Sequence, residues 1–257
     1  MSTTASAPAD DRDLVSVIMP AWNAAATIAA SIESVLAQTH ARVELVVVDD
    51  GSRDDTAALV EAIAARDARV VLLRQANAGV AAARNAGLDA ARGGLIAFLD
   101  SDDRWHPRKL ELQLAGMRAA GARVACTTYR RVDMDGRELS VVRPPARVDH
   151  AALLRSNHIG HLTGIYERSL GEVRFRRIGH EDYVFWLELV RRAGFAVRAD
   201  DGEPLADYLV RPGSVSANKL RAARWQWRIY REVEGLSVWR AAGLMAAYIA
   251  HALAKRR

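Results

Sequence analysis

The sequence predicts an α/β fold, built on a mostly parallel sheet with helices on its faces. Short apolar runs rich in β-branched residues alternate along the chain with segments whose apolar residues recur every three or four positions. This alternation is typical of a parallel sheet with crossover helices. The early apolar runs also show little inside–outside alternation, as expected of strands that are covered on both faces.

Each element follows from its own pattern. Five runs are predicted to be strands, at residues 14–19, 43–48, 69–73, 95–99 and 124–129. Apolar stripes at helical spacing predict the helices between them, at Ile28, Ile32, Val35 and Leu36, then Leu59 and Ile63, then Val80, Ala83, Gly87 and Leu88, then Leu110, Leu114 and Met117. Pro107 suits the first position of the last helix, and Asp133, Asp135 and Gly136 suit a hairpin turn.

Composition and charge narrow the class of protein. The 257 residues suffice for one large domain or a domain with an appendage. The net charge of +5 is uneven, because ten Lys/Arg and only two Glu follow from Arg211 onward. The single cysteine, Cys126, lies in an apolar run and is expected to be a buried thiol. Residues 1–13 resemble a short disordered tail rather than a signal peptide, so a cytoplasmic location is expected.

Polar and acidic motifs follow three of the predicted strands. They are "PAWN", with Trp22 and Asn23, "DDGSRDDT", with Asp49 and Asp50, and "DSDD", with Asp100, Asp102 and Asp103. Ligands of open α/β sheets bind beyond the carboxyl ends of the strands. An aromatic residue beside a lone carboxylate suits a planar base, and a tight acidic cluster suits a hard divalent cation that neutralises a diphosphate. Neither G-x-G-x-x-G nor a P-loop motif occurs at these strand ends, so a dinucleotide oxidoreductase or a P-loop NTPase has no support.

Each motif also has an ordinary explanation. The motif after the second strand could be a turn and an N-cap, and "DSDD" could be a capped loop before a helix. Trp22 alone could be a core residue, and Glu181 and Asp182 could simply be acids in the first turn of a helix. His158 and His161 are expected to be polar loop histidines rather than zinc ligands. Two acidic motifs at neighbouring strand ends nevertheless favour a binding site.

Four stretches of the sequence form a combined pattern, namely "VSVIMPAWN", "ELVVVDDGSRDDT", "NAGVAAARNAGL" and "GLIAFLDSDDRW". Taken together, they resemble the family 2 glycosyltransferases of the GT-A fold. The resemblance is dense over residues 14–110 and weaker at "IGHEDYVFWLEL" and "YLVRPGSVSANKL". Within this family, the chain is similar to bacterial enzymes that build surface polysaccharides, of the teichuronic acid type. The resemblance implies a catalytic domain over 14–218, with a nucleotide-sugar half at 14–105 and an acceptor half at 106–218.

The resemblance also implies roles for individual residues. The nucleotide of a donor, expected to be a UDP-sugar, would be held by Pro20, Trp22, Asn23, Asp50, Arg84 and Asp100, with Asp49 supporting the loop of this nucleotide-binding set. Asp102 would bind Mn²⁺ or Mg²⁺, and Asp103, Arg211 and Ser216 would contact the sugar or the diphosphate. Asp182, or else Glu181, would be the catalytic base. The family usually has Tyr at the position of Trp22, so stacking is retained but a phenolic hydroxyl is lost.

The implied reaction is inverting transfer of one sugar to a hydroxyl of a saccharide or a lipid-linked saccharide. The Q-x-x-R-W motif of processive members is not reproduced, because Arg221 stands where Gln would be. A nucleotidyltransferase and a non-catalytic nucleotide-sugar-binding module remain alternatives. The basic segment could also suggest nucleic-acid binding, but that would leave the acidic strand ends unexplained, so no nucleic-acid partner is expected.

Residues 219–257 are predicted to form a basic helical extension. Arg221, Arg224, Arg228 and Arg231 recur at helical spacing, interleaved with aromatic residues, and a mostly apolar segment follows them. A basic helix bearing Trp can lie on an anionic membrane surface, which here would be the inner surface of the membrane. It can equally pack on the catalytic domain or on a second copy in a homodimer, and both explanations stay open at this point.

Overall fold

The computed structural model describes residues 13–211 and 219–254. The predicted disordered tail, apart from Asp13, lies outside the described residues, and so does Ser216. Within the described residues the strands are β1 (Val15–Ala21), β2 (Val43–Asp49), β3 (Val70–Arg74), β4 (Leu95–Phe98), β5 (Arg104–Trp105), β6 (Val124–Cys126), β7 (Tyr129–Val132), β8 (Glu138–Val142), β9 (Arg147–Asp149), β10 (Ile165–Glu167), β11 (Phe195–Arg198) and β12 (Ala206–Leu209). The helices are α1 (Ile28–Leu36), α2 (Thr56–Ala64), α3 (Val80–Ala90), α4 (Lys109–Ala120), α5 (His150–Arg155), α6 (Glu181–Ala193), α7 (Lys219–Arg228) and α8 (Val238–Ala254).

The large sheet has the strand order β3-β2-β1-β4-β10-β6-β11-β9. Strand β1 pairs in parallel with both β2 and β4, and β2 pairs in parallel with β3. These strands are those predicted from the first four apolar runs, and their parallel pairing brings their carboxyl ends to one edge. Strand β10 then inserts antiparallel between β4 and β6, so the second half of the sheet is mixed.

A smaller sheet of order β5-β12-β7-β8 lies beside the large one. The prediction of one strand over residues 124–129 is wrong, because β6 ends at Cys126 and β7 begins at Tyr129 in the smaller sheet. Between them the Thr128 N–H donates to the Asp200 carboxylate at 2.7 Å, which ends the ladder of the large sheet. The predicted hairpin turn is confirmed, since Asp133 accepts hydrogen bonds from two backbone N–H groups of the turn between β7 and β8.

The helices pack their predicted apolar stripes on the large sheet, with one exception. In α1, Ile28, Ile32 and Val35 are buried, as predicted. In α3, Val80 is instead exposed at the first position of the helix. Helix α4 begins at Lys109, so Pro107 precedes the helix rather than opening it.

The predicted helical extension is present over the described residues. Helix α7 passes through a turn of π-helix at Ile229–Val233 and is followed by α8. Ile229, Tyr230 and Ala241 are buried in the same core cluster as residues of α5 and α6. Over the part of the chain that the structure describes, no helix is both long and apolar enough to cross a membrane.

Candidate active site

A pocket of about 440 Å³ opens where β1, β2 and β4 end. The parallel register makes this convergence possible, because it pairs Pro20 with Val48 and Ala21 with Asp49. The pocket is lined by Pro20, Ala21, Trp22, Asp50, Asn77, Gly79, Val80, Ala83, Arg84, Asp100, Ser101 and Asp102. Five of the predicted nucleotide-binding residues and the predicted metal ligand are therefore brought together in one pocket.

The Asp50 carboxylate is held at the end of β2 by donors from the segment between β3 and α3. Its Oδ1 accepts from Gln75 Nε2 at 2.6 Å and from the Ala78 N–H at 2.8 Å, and its Oδ2 accepts from the Gly79 N–H at 2.8 Å. Gly79 has a φ of +87°, which a glycine adopts without strain. A carboxylate offers about four acceptor sites. Asp50 therefore lines the pocket with capacity for one further N–H donor.

Asp49 and Asn23 hold the loops rather than line the pocket. Asp49 Oδ1 accepts from the Ser52 N–H at 3.2 Å. Asn23 has a φ of +50°, and its Oδ1 accepts from the Arg53 N–H at 2.8 Å while its own N–H donates to Ser52 Oγ at 2.9 Å. The predicted support of the loop by Asp49 fits this geometry, whereas Asn23 joins two loops and does not reach the pocket.

Trp22 forms one wall of the pocket and is 58% exposed. A Trp this exposed contributes little to a hydrophobic core, so the ordinary explanation of Trp22 as a core residue is wrong. Its ring is available for a planar ligand, because aromatic side chains stack on bases of any sequence.

Arg84 and Asp100 form an ion pair inside the pocket. Arg84 Nη2 donates to Asp100 Oδ1 at 2.8 Å, and the Arg84 side chain is only 8% exposed. Burial would raise the pKa of Asp100, but the charge and the hydrogen bond of Arg84 outweigh it and leave that pKa below its ordinary value. The Arg84 Nε–H is buried without a partner among the described residues, so the hydrogen-bonding capacity of this guanidinium is not fully used.

Asp102 lies in the loop 100–103 after β4, which we call the acidic loop, and its carboxylate faces Arg211. Burial and the neighbouring charge of Asp100 raise the pKa of Asp102, and Arg211 opposes this rise with its Nε 3.1 Å from Asp102 Oδ2. Arg211 Nη2 also donates to Thr27 Oγ1 at 3.3 Å. The predicted position of Arg211 at the diphosphate end of the site fits this placement.

Asp103 points away from the pocket. Its carboxylate is buried and accepts from the Leu209 N–H at 2.9 Å, which joins the acidic loop to β12. Burial, together with the charges of Asp100 and Asp102, raises the pKa of Asp103 well above its ordinary value. The predicted contact of Asp103 with the sugar does not fit this position, because the side chain already accepts a hydrogen bond from the backbone of the smaller sheet.

Glu181 and Asp182 open α6 and are half-buried. Burial lowers the pKa of Arg84, but the charges of Asp100, Asp182 and Glu181 together raise it above its ordinary value. Burial raises the pKa of Tyr129 to about 12, and the charge of Asp182 contributes to this rise. Both carboxylates therefore act electrostatically on Arg84 of the pocket. Asp182 also acts on Tyr129 of β7.

Several pocket residues were missed from the sequence. Asn77, Gly79 and Val80 lie in the "NAGV" stretch, and a glycine just before a helix was the available signal.

His161 is not the predicted polar loop histidine. It is buried, with its ring stacked 4.6 Å from that of Phe98, and its Nδ1 accepts from Trp186 Nε1 at 3.3 Å.

The acidic loop suits a metal that is shared with a substrate. Among the described residues, no three His, Cys, Asp or Glu side chains converge to hold an ion unaided. Mg²⁺ in nucleotide sites is commonly bound by one or two carboxylates and completes its shell with phosphate oxygens and water. Asp102 fits that role, because it lines the pocket and its pKa is raised first by burial and then by the negative charge of Asp100, which a cation would offset.

The fold and the pocket together define an α/β enzyme of the nucleotide-sugar-binding kind. Residues 16–179 match the model of the family described as Glycosyl transferase family 2, and the chain belongs to this family. The predictions of a family 2 glycosyltransferase and of the GT-A fold are thereby confirmed.

Known relatives agree with this assignment. The chain is 35% identical over 249 residues to the putative teichuronic acid biosynthesis glycosyltransferase TuaG of Bacillus subtilis, covering 95% of this chain and 98% of that protein. It is 37% identical over 221 residues to WfgD of Escherichia coli, a UDP-Glc:alpha-D-GlcNAc-diphosphoundecaprenol beta-1,3-glucosyltransferase, covering 85% and 86% of the two chains. The solved structure of S. aureus TarS 1-349 in complex with UDP-GlcNAc superimposes with a TM-score of 0.71 at 21% identity, covering 92% of this chain and 71% of that one.

Proposed function

We propose that this glycosyltransferase moves one sugar from a UDP-sugar to an acceptor hydroxyl, with inversion, in the synthesis of a cell-surface polysaccharide or glycolipid. The observation that carries the proposal is the convergence of Trp22, Asp50, Arg84, Asp100 and Asp102 from separate strand ends and α3 in one pocket. WfgD supports it, because that relative uses UDP-Glc and a lipid diphosphate acceptor.

The nucleotide would lie between Trp22 and Asp50. Trp22 offers a stacking surface, and the remaining acceptor capacity of Asp50 suits the imide N–H of uracil. Asp100 would accept from a ribose hydroxyl while Arg84 keeps it ionised. Asp49 and Asn23 would act indirectly, by holding the loops that carry Trp22 and Asp50.

The diphosphate would lie toward Asp102 and Arg211. Asp102 would hold a divalent cation, Mn²⁺ or Mg²⁺, which when bound supplies positive charge to the leaving diphosphate. Arg211 has its guanidinium beside this carboxylate and can donate to phosphate oxygens from there. Ser216 keeps its predicted role, although it lies outside the described residues.

Asp182 is the proposed catalytic base, with Glu181 as the alternative. The carboxylate would take the proton of the acceptor hydroxyl as that oxygen attacks the anomeric carbon of the donor. The bond from the anomeric carbon to the diphosphate oxygen breaks on the opposite side, so the configuration inverts and UDP leaves. Asp182→Asn is expected to lower turnover by about 10²–10⁴-fold, because a positioned base contributes about that factor.

The proposal is tested by calorimetric titration of UDP, with GDP and dTDP as controls, in the presence and absence of Mn²⁺. Metal-dependent UDP binding by the wild type, lost in Asp102→Ala, is the expected result. UDP binding that is indifferent to both the metal and Asp102 would contradict the proposed donor site. Turnover of Asp182→Asn at the wild-type rate would contradict the assignment of Asp182 as the base, but not the proposed donor site.

The extension 219–257 is the proposed contact with the membrane that carries a lipid-linked acceptor. Most exposed residues of α8 are apolar instead of polar. They are Val238, Trp239, Ala242, Gly243 and Ala246, which we call the apolar face of α8, and Arg240 is the one charged residue exposed beside them where the structure describes the side chains of this helix. A helix that packs one side on the protein should expose a polar side to water. The described extension also has six basic and two acidic residues, a balance that suits an anionic lipid surface.

A further inference from the structure

The turn that leads into the proposed base has an unusual backbone. Gly179 has a φ of +76° and His180, the N-cap of α6, has a φ of +49°. A left-handed conformation is rare for a residue other than glycine and costs about 1 kcal/mol or more, so surrounding contacts must hold it. The direction in which Glu181 and Asp182 leave the turn depends on these two residues.

Trp225 of α7 supplies such a contact. A Cβ placed on Gly179 would lie 2.4 Å from Cδ2 and Cε2 of Trp225, which means that the indole rests directly on the Gly179 backbone. The same indole meets the His180 ring edge-on, with ring centroids 5.2 Å apart and an interplanar angle of 87°. One side chain of the extension therefore covers both residues of the left-handed turn.

The rest of α7 fixes the position of this indole. The next residue, Gln226, is buried, and its Nε2 donates to Tyr183 Oη at 3.4 Å. One turn further, Tyr230 is fully buried and its hydroxyl donates to the Leu154 carbonyl at 2.5 Å. Tyr230 lies in the π-helical turn after α7, whereas the contacts of Trp225 and Gln226 in α7 fall on residues 179, 180 and 183 and bracket the two acids at 181 and 182.

We infer that Trp225 is a positioning residue for sugar transfer, and that α7 completes the active site from outside the catalytic domain. The inference rests on the proposed function, because it takes Asp182 or Glu181 as the base. Without the indole the left-handed turn can relax, and the first turn of α6 carries its carboxylates away from the acceptor. The donor pocket shares none of its lining residues with this contact, so donor binding is left intact.

The first experiment compares Trp225→Ala with Trp227→Ala, using a water-soluble acceptor. Trp227 is an exposed Trp two residues further along the same helix, so it controls for the loss of an indole. Trp225→Ala is expected to lower kcat by about 10- to 100-fold, since a misplacement of about 1 Å can cost that much. The KM for the donor and the affinity for UDP should stay within about twofold, and Trp227→Ala should change neither. Trp225→Phe, which keeps a ring on Gly179, should recover most of the rate.

The second experiment is a double-mutant cycle with Asp182→Asn, repeated with Glu181→Gln. If Trp225 acts through the base, Trp225→Ala should lower the residual rate of one of these variants by less than about twofold, because the group it positions is already gone. An equal loss in all three backgrounds would overturn the inference and leave Trp225 a purely structural residue. Wild-type kcat in Trp225→Ala would overturn it as well. A failure of the proposed base is seen separately, as full turnover of both single carboxylate variants.

Discussion

Arg84 Nη2 lies 2.8 Å from Asp100 Oδ1, so a buried guanidinium of α3 neutralises the first carboxylate of the acidic loop. This pair joins α3 to the loop after β4, and both residues line the pocket. Each of the three carboxylates that follow this buried strand has its own partner. Asp100 pairs with Arg84, and Asp103 accepts a hydrogen bond from the Leu209 N–H. Asp102 is left to interact with Arg211 or with a cation.

Arg84→Met is expected to lower the free energy of unfolding by about 2–3 kcal/mol. Breaking a fully buried pair costs about 3–5 kcal/mol. The loss expected here lies at or just below the low end of that range, because the Asp100 side chain is 33% exposed. Urea unfolding at pH 7 measures this change. The matched control is Arg74→Met, which breaks the exposed pair with Glu61 and should cost less than about 1 kcal/mol. Equal losses in the two variants would show that the buried pair has no special weight.

Trp22→Ala is expected to weaken UDP binding by about 5- to 150-fold, because stacking of a base on an aromatic side chain is worth about 1–3 kcal/mol. Trp22→Tyr should retain most of the affinity, since the stacking surface remains. Calorimetric titration of UDP measures both effects. Trp239→Ala removes a Trp that is 87% exposed on α8, far along the chain from the pocket residues, and should leave UDP affinity unchanged. Full affinity in Trp22→Ala would contradict the stacking role.

Asp207 links stability to pH in the smaller sheet. Burial alone would raise its pKa, but hydrogen bonds from His106 and Arg130 outweigh this and lower the pKa to about 2. Because the folded value lies below the unfolded value, the contribution is present above the unfolded pKa and is lost as pH falls toward the folded one. It amounts to about 2 kcal/mol at pH 7 and falls by roughly half at pH 3.

The corresponding variant is Asp207→Asn. Its free energy of unfolding should be lower than that of the wild type by the full amount at pH 7, and the difference should narrow as pH is lowered to 3. Chemical unfolding at a series of pH values gives both curves. A gap that stays constant or widens toward acid would show that the ionised form of Asp207 is not the one that stabilises the fold.

The apolar face of α8 is expected to bind vesicles of phosphatidylcholine that contain phosphatidylglycerol, and to bind pure phosphatidylcholine less. Trp239→Ala should lower the partition coefficient in a sedimentation assay by about 10- to 150-fold, in line with about 1.5–3 kcal/mol for a large buried side chain. Ala242→Asp should nearly abolish binding. Met134→Ala, an exposed apolar residue in the turn between β7 and β8, is the control and should have no effect. Concentration-dependent dimerisation without vesicle binding would assign this face to a second copy instead.

The parallel half of the sheet was predictable because its signals are local. The runs that became β1 to β4 are each mostly apolar, and the polar residues after them had to fall at one edge of the sheet. The roles of Trp22, Asp50 and Asp102 as pocket residues follow from that edge alone. The helical extension was predictable for the same reason, since its periodicity is carried by consecutive residues.

The remaining features depend on pairings that are distant in sequence. Strand β10 is three residues long and lies between β4 and β6 only through antiparallel partners 40 to 72 positions away. The burial of His161 depends on Phe98 and Trp186, and the position of Asp103 depends on the Leu209 backbone. Val80 follows the apolar period of α3 but lies beyond the end of the sheet that would have covered it, so it lines the pocket.

The thiol of Cys126 is fully buried, and burial raises its pKa to about 12. At neutral pH about one thiol in 10⁵ is then ionised, and the thiolate is the form that reacts. Since Cys126 is the only cysteine, the native chain behaves toward maleimides and oxidants as if it had none. A cysteine introduced at Met134 or Trp239 would therefore be the single labelling position. Fluorescent or spin probes can be attached to this glycosyltransferase without first removing a native thiol.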